Sequence, residues 1–188
     1  MASNISNMML DRFLLAREMA IAGYVSQIIT LETTLSYKQL RRVYDSIKTS
    51  GVERCRSGRA VRSGSTIIQS NLDKLQASML MQLYRTIGGE DVLKKTNIDA
   101  LNQAYRMYCA LRYEIPGYEH RSFRQLSITD AWCLADELRS NLAMIEHCPY
   151  CDLEFFMSTN ARLVSTRQEC PFCKRQPHEE EEMNEIHP

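Results

Sequence analysis

Two closely spaced cysteine pairs near the C-terminus constrain this chain more than any other feature of its sequence. Two residues separate Cys148 from Cys151 and Cys170 from Cys173, and eighteen residues lie between the pairs. Four thiolates in two such pairs can complete a tetrahedral shell around one zinc ion, which leaves no position for water or substrate. The spacing therefore predicts a structural zinc site with one ion per chain. The strand-like residues Leu153 to Met157 indicate a small zinc ribbon.

Two alternatives to a zinc site use cysteines at the same spacing: a redox-active dithiol and an iron site. A glutaredoxin-like dithiol lies at the start of a helix after a strand, whereas Cys148 follows a predicted helix and has a partner pair. A rubredoxin-like iron site uses the same four ligands, so iron stays open as an alternative to zinc. His147 and His178 flank the pairs. Both are predicted bystanders, because the thiolates already complete the shell.

Three further cysteines bring the total to seven. Cys109 and Cys133 fall within helical apolar patterns and are predicted core residues, whereas Cys55 falls in a loop. The first residues lack a secretory signal, and no apolar run approaches the roughly 20 residues that span a bilayer. Unpaired cysteines together with these features predict a reducing, cytoplasmic location and no contact with a membrane.

Apolar periodicity predicts a mainly α-helical fold with five helices before the cysteine pairs. Ser36 with Gln39, and Ser127 with Asp130, have the spacing of capping boxes at two of the helix starts. The predicted helices span about 10–31, 36–49, 66–87, 97–113 and 127–145. The predicted domains are a helical body over 1–145, a zinc-binding region over 146–176 and an acidic, disordered tail over 177–188.

The first two predicted helices, within 10–49, have the outline of a helix-turn-helix, and a basic loop follows at 50–65. In that motif, the start of the second helix reaches base edges in the major groove while flanking cations hold phosphates. Leu40, Val43 and Ile47 share a core-facing stripe, which leaves the basic residues outside. The predicted DNA-binding residues are Tyr37, Lys38, Arg41, Arg42, Lys48, Arg54, Arg56, Arg59 and Arg62.

A merely solvated basic face is the alternative to this DNA-binding surface. In that case the DNA surface is expected around the zinc ribbon, at Arg162, Arg167, Lys174 and Arg175. The net charge of zero does not discriminate between these surfaces. No glycine-rich phosphate loop, nucleophile elbow or zincin motif is present, so we expect neither an enzyme nor a small-molecule substrate.

The order of four segments resembles the FlhC family, the zinc-containing subunit of the flagellar master transcription activator. These segments are 16–47 with its Leu35-Ser36 turn, 103–108, 129–132 and the two cysteine pairs. The resemblance implies an α-helical body with a C-terminal zinc region and a heterohexamer formed with the FlhD subunit. It also implies activation of flagellar genes through binding to double-stranded promoter DNA and recruitment of RNA polymerase.

The chain departs from the family pattern in two places. Residues 63–71 lack the tryptophan usual before the third helix, and the acidic run 179–182 replaces a basic C-terminal stretch. A divergent paralogue is therefore one interpretation. The alternative function is that of a zinc-stabilised adaptor or anti-activator that binds proteins and not DNA.

Overall fold

The computed structural model describes residues 2–58, 60–115, 118–119, 123–159 and 169–175. Within these ranges the elements are α1 (Ala2–Ala22), α2 (Ser26–Thr33), α3 (Tyr37–Thr49), α4 (Gly64–Ile67), α5 (Asn71–Gly88), α6 (Ile98–Leu111), α7 (Ile128–Arg139), β1 (Ala143–His147) and β2 (Glu154–Ser158). Short 3-10 helices cover Glu90–Leu93 and Arg112–Glu114. The mainly α-helical fold with a C-terminal cysteine cluster is confirmed. No helix within the described ranges is long and apolar enough to span a bilayer.

The chain forms two compact units. The N-terminal unit comprises Met1–Val61 and Ser127–Asp130, and the C-terminal unit comprises Arg62–Leu126 and Ala131–Pro188. The sequence-based boundaries at 145 and 176 stay predictions. The tail at 177–188 lies outside the described residues.

In the N-terminal unit, the prediction of one helix over 10–31 is wrong. α1 ends at Ala22 because Gly23 has a φ of 95°, in the left-handed region that glycine tolerates. The backbone N–H groups of Gly23 and Tyr24 both donate to the carbonyl of Met19, which closes the helix end. The chain then enters α2 at Ser26. Two helices, α1 and the shorter α2, therefore replace the single predicted helix.

The second predicted helix is confirmed as α3. The side chain of Ser36 accepts a hydrogen bond from the Gln39 backbone, and the Gln39 side chain accepts one from the Ser36 N–H at 2.9 Å. This is the predicted capping box. Leu40, Val43 and Ile47 are buried, as the apolar stripe requires. α2 and α3 are separated by only three residues, 34–36.

In the C-terminal unit, α5 packs against both α6 and β2. The predicted helix over 66–87 instead begins at Asn71, and a separate turn, α4, precedes it. The reason is local, because the Ser70 side chain caps α5 by accepting the Asp73 N–H at 3.2 Å. The predicted helix over 97–113 is confirmed as α6. Pro116 and Gly117, which were expected to stop it, lie outside the described residues.

The predicted helix over 127–145 is correct only as far as Arg139, where α7 ends. Its Ser127–Asp130 capping box is present. Asn141 then adopts a φ of 55°, and 143–147 form β1. β1 pairs with β2 in an antiparallel register that matches Ala143 with Ser158. The predicted strand over 153–157 is confirmed as β2. The first cysteine pair directly follows β1 and not the predicted helix.

Candidate metal centre and basic helical face

The first cysteine pair lies in the turn that joins β1 to β2. The Cys148 N–H donates to the carbonyl of Leu153 at 3.0 Å, and the Asp152 N–H donates to the carbonyl of Cys148 at 3.0 Å. Asp152 adopts a left-handed φ of 61° to close the turn. These bonds fix both cysteine side chains on the same side of a tight loop.

The second pair repeats this geometry at the same relative positions. The Cys170 N–H donates to the carbonyl of Arg175 at 3.0 Å, and the Lys174 N–H donates to the carbonyl of Cys170 at 2.9 Å. Lys174 has a φ of 62°, like its counterpart Asp152. Two equivalent turns thus present two cysteines each, which is the arrangement that a tetrahedral ion requires.

The four sulfur atoms meet in one cluster, all within 4.8 Å of one another. The Sγ atoms of Cys148 and Cys173, and those of Cys151 and Cys170, are 3.6 Å apart. Tetrahedral sulfurs with Zn–S bonds of about 2.3 Å lie about 3.8 Å apart, whereas a disulfide needs about 2.05 Å. The cluster therefore fits a metal ion with four thiolate ligands and does not fit disulfides.

Backbone N–H groups stabilise negative charge on these sulfurs. Burial raises the pKa of the Cys148 thiol, but hydrogen bonds from the N–H groups of Tyr150 and Cys151 outweigh it and lower the pKa to about 6. Burial raises the pKa of Cys170 to about 12, despite equivalent bonds from Cys173 and Phe172. Burial also raises the pKa of Cys151. The Cys148 thiolate forms readily, whereas Cys151 and Cys170 need a cation to replace their protons.

Apolar side chains close the cluster from one side. Phe155 on β2 is buried with Cys148 and Cys170, and Tyr150 and Phe172 pack against them. The Arg175 guanidinium also lies 5.4 Å from the ring centre of Tyr150, which joins the two turns. His147 pairs with Asp152 at 2.8 Å and is not part of the four-sulfur cluster. His178 lies outside the described residues.

A polar stripe on α5, which the sequence analysis missed, holds the hairpin and the second turn. Lys74 donates to the Glu169 carbonyl at 2.5 Å, and Ser78 accepts the Phe156 N–H at 3.0 Å. Gln82 donates to the Glu154 carbonyl, and Arg85 forms an ion pair with the Glu154 side chain at 3.2 Å. We define the α5 stripe as Lys74, Ser78, Gln82 and Arg85. Their spacing of four, four and three residues is the available signal, and it is indistinguishable from that of a solvated helical face.

The basic face predicted for DNA lies mainly on α3. Tyr37, which is 68% exposed, lies at its start, and Lys38, Arg41, Arg42 and Lys48 are exposed along it. The helical repeat places Tyr37, Arg41 and Lys48 on one stripe, with Lys38 and Arg42 on the neighbouring one. The structure thus gathers these five residues on one helical face.

The other predicted DNA contacts are placed differently. Arg54 donates to the Ala20 carbonyl at 3.2 Å, and its guanidinium lies 4.4 Å from the Tyr44 ring centre. Arg54 therefore packs the loop onto α1 and α3. Arg56 is exposed on the same loop, whereas Arg62 is half-buried in the C-terminal unit. The remaining predicted positions, Arg59, Arg162 and Arg167, lie outside the described residues.

One family of known proteins matches the sequence of this chain. The sequence profile of a family described as flagellar transcriptional activator (FlhC) matches residues 4–184 of the 188 residues. The match includes both cysteine pairs and the α2–α3 pair. Among curated protein sequences, none is significantly similar to the chain. The matched family is one of transcriptional activators and not of enzymes. Because the match covers nearly the whole sequence, the chain belongs to the flagellar transcriptional activator (FlhC) family.

Proposed function

We propose that this chain is the DNA-binding, zinc-containing subunit of a cytoplasmic activator of flagellar genes. It acts in a heterohexamer with an FlhD-like helical partner, binds double-stranded promoter DNA and recruits RNA polymerase. Membership of the transcriptional activator family supports the general role. The α2–α3 pair supports DNA as the direct ligand.

The geometry of this pair is the observation that carries the proposal. An eight-residue α2 and a thirteen-residue α3 flank a short turn that contains the left-handed Thr34. The hydroxyl groups of Ser26 and Tyr44 are 3.0 Å apart, which ties the two helices together. In a helix-turn-helix, the first helix crosses the DNA backbone while the second lies in the major groove. The exposed start of α3 suits the second role.

The residues on α3 then divide by role. Tyr37, Lys38 and Arg41 lie in the first turns of α3, where side chains reach base edges. Arg42 and Lys48 add phosphate contacts, and so do Arg56, Arg59 and Arg62 in the basic loop at 50–65. Arg54 contributes through the position of this loop, because its guanidinium contacts Ala20 and Tyr44.

We further propose zinc as the metal ion held by Cys148, Cys151, Cys170 and Cys173. The ion completes its coordination with these thiolates and supplies binding energy for local folding instead of catalysis. An iron centre with the same ligands is coloured and redox-active, whereas a zinc centre is neither. Elemental analysis and the visible spectrum of the purified protein distinguish them.

A salt titration of duplex binding tests the DNA proposal. Affinity for a flagellar promoter duplex should fall steeply with rising salt, because protein cations release counterions from phosphates. The measurement is made with the chain alone and with an FlhD-like partner. Binding that is absent, or that is insensitive to salt, in both samples would contradict the proposal.

That negative outcome would favour the adaptor or anti-activator as the second candidate function. Exposed apolar side chains on α1 support it, since Leu10 is 57% exposed and Leu14 is 56% exposed. Apolar side chains exposed next to one another on a helix are typical of protein-contact surfaces. A complex with a protein partner that shows no salt-dependent binding to promoter duplex would support this function.

A further inference from the structure

Lys74 is the most deeply buried charged side chain among the residues assigned a burial value in the described ranges. It is 2% exposed and lies on the buried face of α5 with Ala77 and Ser78. Burying an ammonium group is costly unless negative charge and hydrogen-bond acceptors surround it. The groups around Lys74 therefore show which negative charges and acceptors compensate its buried ammonium.

Two contacts direct the Lys74 ammonium towards the sulfur cluster. Its Nζ atom donates to the carbonyl of Glu169, the residue immediately before Cys170. The same Nζ lies 4.4 Å from the ring centre of Phe155, which is buried together with Cys148 and Cys170. The ammonium thus lies beside the backbone of the second turn and against the apolar wall of the cluster.

The electrostatics of this position are unfavourable without a negative centre nearby. Burial lowers the pKa of Lys74 to about 8, while the Cys170 thiolate and the Glu169 carboxylate act in the opposite direction. A divalent ion with four thiolate ligands has a net charge of about −2. The buried ammonium of Lys74, which donates to the residue next to Cys170, would offset part of this charge.

We propose that Lys74 is a positioning residue of the metal centre: it holds the second cysteine turn through the Glu169 carbonyl and offsets the negative charge of the tetrathiolate. The inference rests on the metal site proposed above. It assigns to α5, outside both cysteine pairs, a direct contribution to metal affinity. Outer contacts of this kind change metal affinity by about 10 to 100-fold.

The experiment compares zinc affinities of full-length variants by competition with a chromogenic chelator. Lys74→Met keeps most of the length of the side chain but removes its charge and its hydrogen bond to Glu169, and Lys74→Arg restores the charge. Ser78→Ala is the matched control, because it removes the hydrogen bond to Phe156 on the same helical face without changing charge. Lys95→Met removes an exposed lysine and controls for overall charge.

We expect Lys74→Met to bind zinc about 10 to 100-fold more weakly, with affinity partly restored in Lys74→Arg. Lys95→Met should remain within about threefold of the parent because Lys95 is exposed. Ser78→Ala should lose less affinity than Lys74→Met, because it removes one hydrogen bond to the hairpin but no charge. If the methionine variant does not fold, Lys74→Gln takes its place, since it keeps a hydrogen-bond donor without the charge.

Unchanged zinc affinity in the neutral Lys74 variant would overturn the proposal. So would an equal loss in Ser78→Ala, because the effect would then come from packing of the hairpin and not from charge. Zinc binding by the parent protein distinguishes failure of the Lys74 proposal from failure of the metal-site proposal. If the parent itself does not bind one equivalent of zinc, the proposed metal centre fails, and the role of Lys74 fails with it.

Discussion

The helices of the N-terminal unit and the cysteine-bearing hairpin are stabilised by different means. α3 buries a continuous apolar stripe, with Leu40, Val43 and Ile47 each at most 5% exposed. The hairpin has two five-residue strands, and a two-stranded hairpin is marginally stable on its own. Two further features support the hairpin: the cluster of four sulfur atoms and the hydrogen bonds from the α5 stripe. Burial of a periodic apolar stripe thus stabilises α3, whereas the clustering of the four cysteines and the hydrogen bonds from α5 stabilise the hairpin.

Removal of one metal ligand should have the largest effect and should be confined to the hairpin. Cys148→Ser and Cys170→Ser each delete a thiolate from the shell, and metal binding contributes on the order of 10 kcal/mol to local folding. We expect loss of bound metal and rapid amide exchange over 143–158, with protection over 37–49 unchanged. Metal analysis combined with hydrogen exchange measures both effects.

Cys55→Ser is the control, because Cys55 is exposed and lies outside the cluster. It should keep one equivalent of metal and the exchange pattern of the parent. Full metal content in both ligand variants, with unchanged protection of the hairpin, would show that the cluster does not stabilise this region.

Truncation of the α3 stripe should produce the reverse pattern. Leu40→Ala and Ile47→Ala remove fully buried side chains, and such changes cost about 2–5 kcal/mol. We expect lower unfolding free energy and faster exchange in α2 and α3, while the metal remains bound. Asp45→Ala, on the exposed side of the same helix, should change stability by less than about 0.5 kcal/mol. Metal loss in the core variants would contradict independent stabilisation of the two regions.

A smaller effect is expected where α1 ends. A Cβ atom at Gly23 would lie 2.8 Å from the carbonyl oxygen of Arg56, and the φ of 95° is unfavourable for alanine. Gly23→Ala should therefore cost about 1–3 kcal/mol. Gly51 also has a positive φ, of 68°, but nothing lies within 4 Å of its added Cβ. Gly51→Ala thus isolates the conformational cost, and equal thermal shifts in the two variants would refute the close contact at Gly23.

The sequence predicted best those parts of the fold that depend on local patterns. The Ser36 and Ser127 capping boxes, the α3 stripe and β2 all occur where residue type and spacing placed them. The spacing of the two cysteine pairs predicts one cluster, and their four sulfur atoms do lie together. Each of these features is encoded within a few residues, so no knowledge of the tertiary structure was needed.

The errors at Gly23 and over 143–147 occur where tertiary contacts override the local pattern. Apolar periodicity continues through Gly23, but the approach of the Arg56 carbonyl at that point favours the turn. Residues 143–147 also continue a helical pattern, yet they pair with β2. The α5 stripe was missed because a buried lysine and a solvated lysine have the same spacing on a helix. The contacts with Glu169 and Phe155 identify Lys74 as the buried kind.

The smallest effect on folding is expected at the exposed basic face of α3, where the effect on DNA binding should be largest. Arg41 and Lys38 are exposed and lie off the buried stripe, so alanine at either position should leave the unfolding free energy within about 0.5 kcal/mol of the parent. A base-contacting side chain should cost about 1–3 kcal/mol of binding and relax preference at one base position. A phosphate-contacting one should weaken all duplexes alike and reduce the salt slope by about one unit.

Affinities for promoter and random duplexes at several salt concentrations distinguish these roles for each variant. We expect Lys38 or Arg41, in the first two turns of α3, to show the base-contacting pattern, and Arg42 and Lys48 to show the phosphate pattern. Arg54→Ala should differ from all of them by also destabilising the N-terminal unit, since it loses contacts with Ala20 and Tyr44. If all the α3 variants bind promoter DNA like the parent, α3 contributes only its buried stripe. The DNA surface would then have to include cations elsewhere, and Lys174 and Arg175 beside the metal cluster become the next positions to replace.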